Sequence, residues 1–93
     1  MRSKVTPLAE SPGPDLDDPR RERWVAARIH FGVELRRSRN ALELSQEKLA
    51  EIAGIHRTYV AQVEAGSRNL ALENLLKLAE AVQRPLSDML KPY

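Results

Sequence analysis

The 93-residue sequence contains no cysteine, which excludes disulfides, thiolate metal ligands and thiol nucleophiles together. A reducing setting, the cytoplasm, is therefore expected. Aromatic residues make up only 4% of the chain, and no apolar run approaches membrane-spanning length. The basic opening MRSKVTPLAESPGP lacks the apolar stretch of a secretory leader, so no membrane association or export is expected. Also absent are a GxSxG turn and a phosphate-binding glycine loop, and His30 and His56 have no metal-ligand spacing between them. So short a chain leaves little room for an enclosed substrate cavity. The chain is not expected to be an enzyme, and neither cofactor nor metal is implied.

Charge of one sign is lacking too: 15 Lys and Arg against 13 Asp and Glu leave a net charge of +2, too little to specify a polyanionic partner. Distribution says more than the total. Residues 1–23 balance their charges, whereas Arg28, Arg36, Arg37 and Arg39 crowd a segment in which Glu34 is the lone acid. A basic face is one reading of this segment, a solvated helix surface the other.

Prolines 7, 12, 14 and 19 each remove a backbone donor and restrict the preceding residue to extended geometry. With few large aliphatics among them, residues 1–23 are expected to form a disordered or extended arm. Residues 24–93 should be the folded domain. Trp24, Ala27, Phe31, Leu35 and Leu42 share one face of a first helix, Trp24 to Leu42. Ser45 is a candidate N-cap for a second helix, Gln46 to Ala53, which Gly54 can end. A third should span Arg57 to Glu64 with Val60 and Val63 inward, and Gly66 after it. Leu72, Leu75, Leu76, Ala79 and Val82 give a fourth its amphipathic stripe. Pro85 suits the first turn of a short fifth, Leu86 to Leu90. No β alternation appears. The expected fold class is all-α, a compact five-helix bundle.

The segment SQEKLAEIAGIHRTYVAQVEAGSRNL, residues 45–70, carries the functional signal. Two short helices meeting at a steep angle need a small residue at their approach, a glycine in the turn and apolar residues locking them together. Ala50, Gly54, Leu49, Ala53, Ile55, Val60 and Val63 meet those needs, defining a helix-turn-helix over residues 46–65. Over about residues 31–90 the chain resembles the phage repressor-like, or XRE-type, helix-turn-helix family. HRTYVAQVEAGSRNLALENLLKLAEA resembles the restriction-modification controller proteins within it.

The resemblance implies a sequence-specific transcriptional regulator that binds double-stranded operator DNA as a dimer, the third helix in the major groove. It also implies a structural pair, Arg39 with Glu64, beneath the motif. With Val60, Val63 and Glu64 inward, Arg57, Thr58, Ala61 and Gln62 project outward as base readers. Arg57 can satisfy guanine O6 and N7, and Gln62 has the donor and acceptor that adenine requires. Gln46 and the Ser67-Arg68-Asn69 loop match family positions that touch phosphate. Arg36, Arg37 and Tyr59 are further phosphate candidates, Tyr59 having packing against the second helix as its alternative. His56, Ala71, Glu43 and Gln83 depart from the family pattern, replacing common caps or turn glycines. Leu86, Met89, Leu90 and Tyr93 offer apolar surface for a homodimer contact.

Two rivals share this fold. An antitoxin would use residues 1–23 to cover a toxin while repressing its own operon. A protein-protein adaptor would have no need of Arg57 and Gln62.

Overall fold

A computed structural model describes residues 17–93, so most of the expected arm lies outside the described residues. Its last seven residues, 17–23, do not. Asp18 gathers the chain, its Oδ1 accepting the Arg20 N–H at 2.8 Å and its carbonyl the Arg21 N–H at 3.0 Å. Helix α1 (Arg21–Ala41) thus starts three residues ahead of Trp24. It is followed by α2 (Gln46–Ala53), α3 (Arg57–Glu64), α4 (Leu72–Ala81) and α5 (Leu86–Met89), with no strand among the described residues.

Local chemistry sets the helix starts. Ser45 Oγ accepts the Lys48 N–H at 2.9 Å and starts α2. His56, a departure from the usual capping residues, nevertheless caps α3, its Nδ1 accepting the Thr58 N–H at 3.2 Å. Ala71 makes no side-chain cap, and Pro85 occupies the N-cap of α5 rather than its first turn.

The first four helices end alike. A residue just past each helix, the first after α2 and the second after α1, α3 and α4, turns left-handed: Glu43 (φ 58°), Gly54 (73°), Gly66 (72°) and Gln83 (62°). The next amide then reaches back to a carbonyl, Leu44 to Arg39, Ile55 to Ala50, Ser67 to Gln62 and Arg84 to Ala79, at 3.0–3.1 Å. Glycine is suited to this geometry. Glu43 and Gln83 adopt it against their Cβ preference, because the returning hydrogen bonds and the helices they link fix the chain's path.

The core is assembled from every helix: Phe31 and Leu35 of α1, Leu49 and Ala50 of α2, Val60 and Val63 of α3, Leu78 and Ala79 of α4 with Val82 at its end, and Met89 of α5. Burying each large side chain contributes about 1.5–3 kcal/mol. The stripe expected on α1 is only half used. Trp24 shares the face of Phe31 but lies two turns from it along the helix and is 42% exposed, while Leu42, past the other end of α1, is also exposed. On α4, Leu72 is 66% exposed at the first turn and Leu76 lies at the edge of the stripe, leaving Leu75, Leu78, Ala79 and Val82 to face inward.

Met89 is fully buried, which corrects its expected place in a dimer contact: the surface it was to offer is spent inside its own subunit. Leu86 and Leu90 are half-buried against the same core. Tyr93 packs on α1, with its ring 5.6 Å from that of His30 and beneath the Arg23 guanidinium at 5.7 Å.

Candidate nucleic-acid interface

Helix α3 is held from beneath by an ion pair joining it to α1. Arg39 Nε donates to Glu64 Oε2 at 2.6 Å and Nη2 to Oε1 at 3.0 Å, with side chains only 11% and 3% exposed. Arg39 Nη1 also donates to the Leu44 carbonyl at 2.7 Å, tying the α1–α2 turn to the same guanidinium. The hydrogen bonds it donates to Glu64 raise the Arg39 pKa further, so its charge is constant across working pH. Gln46 joins in, donating from Nε2 to Glu64 Oε1 at 3.0 Å. That amide proton is committed to the pair, which leaves the first-turn position of Gln46 on α2 for any phosphate contact.

The approach of α1 to α3 is close enough to require a residue without a side chain. A Cβ on Gly32 would overlap the Val63 carbonyl oxygen and lie 2.9 Å from that of Glu64. The angle of α3 is therefore fixed from one side by Gly32 and from the other by Leu49 and Ala50 of α2, while Val60 and Val63 fill the space between.

This mounting leaves a defined outer face on α3. Arg57 and Thr58 are exposed in its first turn, with Ala61 and Gln62 partly exposed one turn on. Arg57 Nε lies 3.7 Å from Glu47 Oε2, both side chains being more than half exposed. Such a pair is worth little in water and is easily exchanged for a base edge. Beyond α3, Arg68 stacks on the Tyr59 ring at 4.8 Å and donates from Nη1 to Gln62 Oε1 at 2.6 Å. Ser67 Oγ donates to the Gln62 carbonyl at 3.3 Å. Asn69 Oδ1 accepts from Arg28 Nη1, linking the loop to α1.

Two expected phosphate contacts need correction. The Tyr59 hydroxyl is buried without a partner, so Tyr59 serves as a packing surface beneath Arg68. Arg37 pairs with Glu34 at 2.8 Å, and Glu34 takes Arg84 at 2.9 Å through its other oxygen. At 100° per residue, Glu34 and Arg37 lie on the side of α1 opposite Arg39, away from α3. Arg84 Nη1 also donates to Ser38 Oγ at 2.9 Å. The Arg84 hydrogen bond is the main reason that the Glu34 carboxyl titrates below its ordinary value, with burial opposing and Arg37 assisting. Arg36 remains exposed on α1.

The sequence reading overlooked these cross-element links, Glu47 to Arg57, Arg68 to Gln62 and Arg28 to Asn69. None falls at a spacing within one helix, so no periodicity signals them. Among the described residues there is no group of side chains suited to a metal ion, and no helix long and apolar enough to cross a membrane.

A protein-family model described as "Helix-turn-helix" matches residues 35–89. Control protein C.SmaI of Serratia marcescens is 46% identical over 56 residues, covering 60% of this chain and 67% of that protein. Control protein C.BamHI of Bacillus amyloliquefaciens is 39% identical over 64 residues, covering 68% and 79%. Among solved structures, the restriction-modification controller protein C.AhdI from Aeromonas hydrophila is similar with a TM-score of 0.66 at 45% identity, over 69% of this chain and 97% of that one. The hypothetical transcription factor NHTF from Neisseria is similar with a TM-score of 0.68 at 33% identity, over 88% and 85%. The match to more than half the chain, together with the buried Arg39–Glu64 mount and the exposed outer face of α3, shows that the chain belongs to the XRE-type helix-turn-helix family of DNA-binding transcriptional regulators.

Proposed function

We propose that this regulator acts in the cytoplasm as the control protein of a restriction-modification operon, binding its operator as a homodimer. Its likeness to C.SmaI, C.BamHI and C.AhdI supports the operon assignment. The observation that carries the mode of binding is the outer face of α3: Arg57 and Thr58 stand exposed in the first turn of a helix braced by a buried ion pair. Arg57 reads a guanine with its two-pronged guanidinium, while Thr58, Ala61 and Gln62 border the same base edges. Gln46, Ser67, Arg68, Asn69 and Arg36 surround this face as phosphate contacts that set register. A single reading helix covers only a half-site, and two half-sites about one helical turn apart require a second copy. Leu86, Leu90 and Tyr93 at the carboxyl end are the surface assigned to that contact.

The test begins with duplexes that the parent protein selects from a random pool. Arg57→Ala should cost about 1–3 kcal/mol on the selected duplex and little on a scrambled one. An unchanged ratio between the two would remove Arg57 from base reading. Sedimentation with and without the selected duplex should show a dimer at micromolar concentration, and a monomer in both states would reject the homodimer.

A further inference from the structure

The side chains of Tyr59, Arg68 and Gln62 form a connected relay at the carboxyl end of α3. The Arg68 guanidinium lies 4.8 Å over the Tyr59 ring, and its Nη1 donates to Gln62 Oε1 at 2.6 Å. The Tyr59 ring carries the guanidinium on its face, and the charged hydrogen bond turns Gln62 Oε1 toward Arg68. The loop is itself pinned: the Ser67 amide and hydroxyl both donate to the Gln62 carbonyl, at 3.0 and 3.3 Å, and Asn69 is bonded to Arg28.

We infer that Arg68 is a positioning residue for base recognition, holding Gln62 Oε1 so that the amide presents its Nε2 donors to the major groove and reads a base acceptor. This deepens the reading-helix assignment and rests on it. A free glutamine pairs with adenine by accepting from N6 while donating to N7. Here the accepting oxygen is engaged by a cation, and that same positive charge disfavours the adenine N6 amino group as a second donor. Guanine, with O6 and N7 both acceptors, matches the remaining two N–H donors. The guanidinium has five N–H donors, so an accompanying phosphate contact by Arg68 is compatible with the relay.

Selection from a random duplex pool, followed by titration of duplexes differing at single positions, tests this in the full chain. The parent should prefer guanine at one position in each half-site, and Gln62→Ala should lose that preference. Arg68→Ala should lose it at the same position, with discrimination against adenine falling about tenfold. Arg68→Lys retains charge but lacks the planar fork, and its base profile at that position should follow Arg68→Ala. Adding Gln62→Ala to Arg68→Ala should change the profile no further. The relay is overturned if Arg68→Ala keeps the parent's base profile while losing affinity equally for selected and random DNA, the behaviour of a phosphate anchor alone. It is likewise overturned if Gln62→Ala alters no base position. Arg57→Ala separates the two levels: a base profile changed by Arg57→Ala but not by Arg68→Ala sinks the relay alone, whereas one changed by neither sinks the reading-helix assignment with it.

Discussion

Arg39 and Glu64, 25 residues apart in sequence, make a two-pronged ion pair at 2.6 and 3.0 Å that fastens α3 to α1. Because the Glu64 side chain is nearly inaccessible to water, removing either partner strands the other as an uncompensated charge. Arg39→Ala and Glu64→Ala should each lower unfolding stability by about 3 kcal/mol, measured by urea denaturation. The double variant Arg39→Met/Glu64→Leu should lose less than either single variant, since it strands no charge. Single variants within about 0.5 kcal/mol of the parent would show that the pair does not brace α3.

Acid should weaken a second ion-pair network, that of Glu34. Its folded-state carboxyl titrates below the ordinary value of 4.5, chiefly through the hydrogen bond from Arg84. A depressed folded value stabilises the fold above the unfolded value, and this contribution is lost as pH falls through the folded one. The stability gap between parent and Glu34→Gln should therefore be open at neutral pH and narrow progressively below about pH 4.5. Urea midpoints across an acid series read this directly. A gap independent of pH would mean that the charge on Glu34 contributes nothing.

Gly32 should tolerate no side chain. Gly32→Ala would push a methyl group into the Val63 carbonyl, forcing α1 and α3 apart, although alanine favours helix over glycine. A loss of about 1–3 kcal/mol is expected, accompanied by weaker binding to the selected duplex as α3 shifts. Thermal melts and duplex titration check both. A gain in stability, as helix propensity alone would give, would refute the close approach.

Gln83 offers the opposite opportunity. It holds a left-handed conformation (φ 62°) in an exposed turn, so Gln83→Gly relieves its Cβ conflict while increasing the entropy of the unfolded chain. The net result should be a gain of about 0.5 kcal/mol, seen as a higher urea midpoint. A clear loss would indicate that the Gln83 side chain contributes to the turn.

The sequence determined the local part of this architecture. Four helix spans between Gln46 and Met89, the Ser45 cap, the left-handed turn at Gly54 and the inward placement of Val60 and Val63 all rest on interactions among neighbours in the chain, and periodicity reports such interactions. Resemblance to a family located the Arg39–Glu64 pair that spacing alone could not. Tertiary structure decided the rest. Trp24 and Leu42 carry the same apolar signal as Phe31 and Leu35 but stay exposed near the ends of α1, Trp24 beneath the Arg20 guanidinium at 5.0 Å, whereas Met89, expected at a surface, closes the core. The engagement of Gln62 by Arg68, the return of Tyr59 to packing and the turning of Arg37 toward Glu34 likewise depend on where separate elements meet. A side chain's outward direction can be read from helical period, but the partner that claims its hydrogen bonds is set by the packing of the whole chain.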